Sequence, residues 1–392
     1  MNRTTIYLMI TLTIMFICTS CTSNLLENDL KKAELKGKVK SIKTTEYNAV
    51  ERFGELVKDK SGETSIRIYN QEGMIIERSE YFSNGSLNYK LKYSYDEKGN
   101  ITDESYEDKS YSSKAKYTYD KNGNLIEKSA YDANGDLKGR AKYTYDENGN
   151  MIESSLYGSE GSEKAKYSYD KKGNKVEGNY YNLDGKFSGK SKTAYDKKGN
   201  IIENSYYYGE ELSYKTTFSY DKKGNMTAEE TQYSYNEELD YQPYNYRRYV
   251  YDEKGHIIEY SIKIEGREEG KLSYDKKGNL IKEIISGSDF YYLCDYKEII
   301  YSYDKKGNMI EKSGNYSWES EFDGKGTSWS KTIYSYDNKG NMIEENVSGY
   351  SEGNYYSQIE TYSYDKKGNW IEHTRKLSKG KHKITEREIE YY

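Results

Sequence analysis

The chain reads as all-β: tandem antiparallel hairpins joined into one long meandering sheet, twisted or spirally curled. Three observations carry that reading. A Tyr-Asp-x-x-Gly-Asn motif recurs, with its Asp at positions 96, 120, 146, 170, 196, 221, 252, 275, 304, 337 and 365. Tyr, Ser, Thr and Ile alternate along the segments beside each copy. Past the amino-terminal apolar run, no segment except Leu25 to Leu35, a tether, shows a helical period.

The copies lie 23 to 33 residues apart, and a worn one at Tyr69-Asn70-Gln71-Glu72-Gly73 makes twelve. So steady a period marks one supersecondary unit copied along the chain. Asp opens a type I turn by accepting backbone N–H groups on its carboxylate. The next two residues face water, and Gly supplies the left-handed conformation of a G1 bulge. With Asp paired across the loop to Asn, Tyr95 faces Ile101 and Ser94 faces Thr102. One face of the hairpin then carries Tyr117, Tyr119 and Leu125, and the other sets Thr118 opposite Ile126. Both faces are expected to be partly apolar, needing cover or the hollow of a curved sheet.

A second, looser turn separates the copies, as in Tyr131-Asp132-Ala133-Asn134-Gly135-Asp136. Each repeat thus supplies two strands, roughly two dozen in all. Lys38 to Tyr47 reads as the opening strand and Lys383 to Tyr392 as the closing one. Their alternating charges are expected to discourage pairing at these edges.

Composition agrees. Tyr fills 49 of 392 positions and Pro one, with 32% of residues charged. That is too aromatic for a disordered polymer and too poor in aliphatics for a thick core, so Tyr must do much of the packing. The formal charge is -5, and removing Arg3, the one charge in residues 1–20, takes it to -6. No stretch clusters Lys and Arg as a nucleic-acid face requires, so no nucleic-acid partner is expected.

Three segments follow: 1–20 as a signal peptide, 21–37 as a lipidated tether, and 38–392 as the repeat array. The apolar run Ile6 to Ile17 is too short for a permanent span. Cys18-Thr19-Ser20-Cys21 resembles a bacterial lipobox, with Cys18 where Leu is commonest. The resemblance implies cleavage before Cys21 and acyl chains on it, and hence membrane attachment. Thr22 in place of Asp points to the outer membrane or cell surface. Cys294 is then the one remaining thiol, with no basic partner in Tyr292-Leu293-Cys294-Asp295-Tyr296 and no disulfide to form.

Tyr117-Thr118-Tyr119-Asp120-Lys121-Asn122-Gly123-Asn124-Leu125 and its fellows resemble the YD repeats of Rhs-type proteins, insecticidal-toxin cocoons and teneurins, over residues 38 to 392. The resemblance implies a sheet that spirals into a shell, enclosing a toxin in some members and mediating adhesion or carbohydrate contact in others. The Asp-Pro core motif that ends an Rhs shell is missing here, and the repeats run to Tyr392. A dozen repeats is short for a closed cocoon, so an open, strongly twisted or partly curled sheet is expected.

No catalytic constellation stands out. His256 replaces a turn Asn, while His373 and His382 sit in a Lys-rich tail read as a solvated face. Glu127, Glu153, Glu177, Glu203, Glu311 and Glu344 recur at one repeat position, which marks a row of solvated or Lys-paired side chains; a catalytic pair should be singular. Asp-x-x-Gly-Asn brings too few oxygens together for calcium. Neither metal nor cofactor is expected, and Met226 to Arg248 is the one irregular span where a cleft could lie.

Recognition is expected on the long aromatic connections Tyr233 to Tyr246, Asn315 to Trp329 and Tyr350 to Tyr356, which share one rim. The candidate ligand-binding residues are Tyr244, Trp318, Phe322, Trp329 and Tyr350. The functional expectation is a non-enzymatic, envelope-anchored lipoprotein that binds glycan or protein. The alternatives are a structural or accessory lipoprotein without a diffusible ligand, or part of a toxin-type system.

Overall fold

The computed structural model describes residues 29–392 apart from 159–160, 235–243, 264–266, 289–292, 321–323 and 352. Cys21, the signal segment and Phe322 lie outside the described residues. A short helix, α1 (Asp29–Lys32), precedes twenty-six strands that form one sheet, from β1 (Val39–Arg52) and β2 (Glu55–Tyr69) to β25 (Trp370–Leu377) and β26 (His382–Tyr391). Every strand pairs antiparallel with its neighbour in sequence.

The ends also pair. β26 runs antiparallel to β1 with Ile389 opposite Ile42 and Thr385 opposite Glu46, closing the meander into a ring. The open-edged sheet expected from the repeat number is therefore corrected. The alternating charges of the two end strands are complementary: Lys43 meets Glu388 at 2.8 Å, Lys383 meets Glu46 at 2.6 Å, and Lys58 of β2 pairs with Glu386. Closure removes the edge altogether, a stronger solution than charging it.

The ring is one layer thick. The accessible surface of the whole chain is 26761 Å², against about 16,000 Å² for a compact protein of this mass. Eight strands already make a barrel just wide enough for side chains to fill, and here contacts run around the ring between sheet neighbours. The buried apolar cluster is small: Leu30 of α1 with Val39, Ile42 and Tyr69 at the closure. Cohesion comes instead from the ladder and from what the repeat adds to it.

Each Asp turn is built as its residue types require. Asp96 donates its N–H to the Asn100 carbonyl, its Oδ1 accepts the N–H groups of Lys98 and Asn100, and its Oδ2 accepts Asn100 Nδ2, all at 2.9 Å. Gly99 stands at φ 85°, open to Gly but strained for other residues. The register then departs from expectation. Tyr95 does pair with Ile101, but Ser94 pairs with Asp103, and Thr102 is an extra, bulged residue.

The same slip sets Thr118 opposite Glu127 instead of Ile126. One bulged residue changes which side chains share a face. The second face is therefore charged, where a partly apolar one was expected.

On that charged face Glu127 meets Arg140 and Lys142, Glu153 meets Lys164, Glu203 meets Lys215 and Glu311 meets Lys331, at 2.6–3.8 Å. On the tyrosine face, each motif Tyr reaches back across the preceding strand. Tyr95 Oη donates to the Ile75 carbonyl at 2.6 Å, Tyr220 to Ile201 at 2.8 Å and Tyr336 to Met309 at 2.8 Å, and the other eight do likewise. Tyrosines also lie flat over strand glycines: Tyr260 opposite Gly270, and Tyr356 opposite Gly349. The ring supplies packing that Gly lacks.

Candidate functional site

An up-and-down ring has two rims. All twelve Asp-type turns lie on one, and the variable connections lie on the other. On the variable side, β21 (Met309–Ser320) and β22 (Gly324–Tyr336) extend to 12 and 13 residues. Asn315 to Trp329 is thus mostly a long hairpin and not a loop: Asn315 pairs with Trp329, and Trp318 with Gly326.

Trp329 stands opposite Tyr350 of β23 (Met342–Ser351), which stands opposite Tyr355 of β24 (Asn354–Tyr364). Cross-strand partners share a face, so these three rings form a patch on the charged face near the variable rim. The Tyr350 and Tyr355 rings are 4.9 Å apart, Tyr355 is 71% exposed and Trp329 38%. Two of the five candidates are thereby brought together. Tyr355 was missed as an individual site residue because exposure is set by the hairpin's reach. Tyr244 begins β16 (Tyr244–Tyr251) opposite Gln232, in another sector.

Two further aromatic groups lie near the same rim on the tyrosine face. Tyr180, Tyr206, Tyr214 and Tyr233 form a row with centroids 5.6–6.3 Å apart. Tyr89 stacks on Tyr106 at 6.2 Å. Burial, reinforced by the Asp108 carboxylate, pushes the Tyr106 hydroxyl up to about 12. Beside it a shallow depression of about 430 Å³ is lined by Glu107, Asp108, Tyr111 and Asp132 among others.

The tail histidines are not on a solvated face. His373 stacks on Tyr362 at 4.6 Å, and its Nε2 lies 2.8 Å from Glu360 Oε2. Glu360, buried at 6% exposure, also accepts from Gln358, Tyr362 and Arg375 at 2.6–2.8 Å. Its hydrogen bonds and Arg375 hold the carboxyl below its usual range against desolvation, the largest single influence. Burial, then Glu360's charge, raises neighbouring Glu345. The carboxylate is saturated by donors, which suits it to hold β24 on β25. His382 Nδ1 accepts the Leu377 N–H at 3.2 Å, closing a turn.

His256 copies the Asn it replaces: Nδ1 lies 2.9 Å from Asp252 Oδ2. That bond, with the His256 N–H, lowers Asp252 to about 2. Met226 to Arg248 contains two regular strands, β15 (Met226–Tyr233) and β16, tied by Arg247–Glu229 and Arg248–Glu230 ion pairs at 2.7–2.8 Å. The irregularity expected there lies outside the described residues. Cys294 is in β20 (Leu293–Tyr303). Among the described residues no group of three or more His, Cys, Asp or Glu could hold a metal ion.

The teneurin YD-shell family model matches residues 8–186. The chain is a YD/Rhs-type repeat protein whose repeats close into a continuous 26-stranded sheet. No curated protein matches it.

Among solved structures, a TcdB2-TccC3-Cdc42 complex chain aligns at 12% identity over 86% of this chain and 26% of its own length, with a TM-score of 0.20. The chain thus spans about a quarter of that relative's length. A porin-like protein from Bacteroides uniformis aligns at 11% identity over 72% of this chain and 99% of its own, with a TM-score of 0.23. Superpositions this slight carry no argument.

No helix among the described residues is long and apolar enough to cross a membrane. Lys–Glu pairs fill one face of the ring, and Glu104, Glu229 and Arg247 interrupt the other.

Proposed function

We propose that this protein is a non-enzymatic lipoprotein of the cell envelope, anchored through Cys21 at the outer membrane or cell surface, that binds glycan or protein through its variable rim. The observation that carries the reading is the Trp329, Tyr350 and Tyr355 patch. Rigid aromatic rings set side by side and left half open are suited to stacking on sugar rings or apolar side chains, at little entropic cost. Asn315 stands opposite Trp329 on the neighbouring strand.

The test is retention of the purified protein on immobilised cell-wall, host-matrix and glycan surfaces. Trp329→Ala with Tyr355→Ala should abolish retention while leaving the β-type circular dichroism spectrum intact. Undiminished retention in the double variant would refute the assignment to this patch. A second reading, a structural envelope protein without diffusible ligand, is favoured by the shallowness of the surface depressions. Co-purification of one stoichiometric envelope partner would support it.

A further inference from the structure

The Asp-turn rim carries a ring of lysines that no run of sequence displays. The two middle residues of the twelve turns are twenty-four positions, of which sixteen are Lys and four are Glu. Closing the sheet places them all on one end. The Asp carboxylates sit behind them, turned back onto turn N–H groups and the Asn amide.

The second lysine of a turn commonly donates to the next turn: Lys172 to the Lys197 carbonyl at 3.0 Å, Lys254 to Lys276 at 3.2 Å. The first lysines, such as Lys171, Lys197, Lys222 and Lys276, are exposed, and among the described residues none pairs with a carboxylate. The opposite rim carries no comparable row: its described connecting residues hold Lys109, Lys186, Lys379 and Lys381 beside Asp136, Asp184 and Glu210.

The chain's amino-terminal segment is fixed to the lysine end. Asp29 Oδ2 accepts the Ile75 N–H at 2.8 Å, and Leu30 donates to the Gly73 carbonyl at 3.2 Å. Asn369 grips Lys36 on both sides: Oδ1 accepts its N–H at 2.7 Å and Nδ2 donates to its carbonyl at 2.8 Å. Cys21 is eight residues before Asp29, at most about 29 Å of extended chain.

We propose that the lysine rim docks on the anionic phosphate headgroups of the membrane that holds the anchor, turning the variable, aromatic rim away from it. The proposal rests on the anchored reading above for its orientation. Lysines in a ring meet a plane of phosphates together, and a net-negative protein is then held by one end only.

The experiment uses the full protein extracted from cells and reconstituted into vesicles of phosphatidylcholine, alone or mixed with phosphatidylglycerol. A water-soluble amine reagent labels exposed lysines, and mass spectrometry reads each site. Lys171, Lys197, Lys222 and Lys276 should be labelled severalfold less on the anionic vesicles, with labelling restored by high salt. Lys186 and Lys379, on the variable rim, should not change.

Equal labelling of the rim lysines on both vesicles would overturn the proposal, as would protection of Lys186 and Lys379 instead. Equal protection by soluble polyphosphate without vesicles would make the rim a general polyanion binder and sink the membrane assignment. The same spectra weigh the Cys21 peptide. Protected lysines with unacylated Cys21 would uphold the docking surface and refute the anchor; acylated Cys21 with unprotected lysines would do the reverse.

Discussion

Replacing three motif tyrosines by Phe, at Tyr95, Tyr220 and Tyr336, removes three hydroxyls and leaves every ring in place. Each hydroxyl donates to a carbonyl of the preceding repeat at 2.6–2.8 Å. A neutral intramolecular hydrogen bond of this kind contributes about 1 kcal/mol net. The sites lie in separate repeats and share no partner, so their losses should add to about 3 kcal/mol. Urea unfolding followed by far-ultraviolet circular dichroism measures this as a lower midpoint at unchanged slope. Tyr214→Phe is the control, since that side chain packs in the aromatic row instead of donating across repeats; its midpoint should move by less than about 0.5 kcal/mol. A triple variant as stable as the control would show that ring packing alone joins the repeats.

Two further outcomes follow from the same geometry. Gly270→Ala puts a Cβ into the Tyr260 ring, so it should cost about 1–3 kcal/mol by overpacking; Tyr260→Ser in the same chain should recover part of that, and a neutral Gly270→Ala would contradict the tyrosine-over-glycine packing. Acid should also unfold the protein. The turn carboxylates are held below their usual range by the Asn side chain and turn N–H groups, and Asp252 lies at about 2 through His256. A lowered folded value gives stabilisation that is complete above the unfolded value near 3.9 and lost as pH falls through the folded one. The urea midpoint should therefore hold down to about pH 4 and fall towards about pH 2; a midpoint flat across that window would refute the turn network as a stabiliser.

The local parts of the fold were legible because they repeat. Asp, Gly and Asn announce the turn through their own hydrogen-bonding and backbone preferences, and the Glu row announces itself by recurrence opposite Lys. What escaped is of two kinds. The bulge at Thr102 or Ile126 is one residue wide, and apolar alternation reads the same with or without it until the partner strand fixes the register. Closure joins Lys43 to Glu388 and Lys383 to Glu46, residues over three hundred positions apart. Nothing in a repeat period tells how many repeats complete a turn. His373 was misplaced for a related reason: a Lys-rich neighbourhood in sequence is not one in space, since alternate strand residues face opposite ways.

The division of labour between the rims also has a physical origin. At the Asp rim the turns are fixed by hydrogen bonds centred on the Asp carboxylate and by a left-handed Gly, and a Lys at the second middle position commonly reaches the next turn, so an insertion there would break both the turn and its neighbour's contact. At the variable rim, among the described residues, no such Lys-to-carbonyl bond joins one connection to the next. A hairpin can therefore lengthen outward, as β21 and β22 do, by continuing a ladder already in register, without disturbing the ring below. Sequence differences between repeats accumulate where they cost least, and that is where Trp329, Tyr350 and Tyr355 meet. The closed ring is thus uniform and Lys-rich at the end that receives residues 29–36, and individual from one connection to the next at the other.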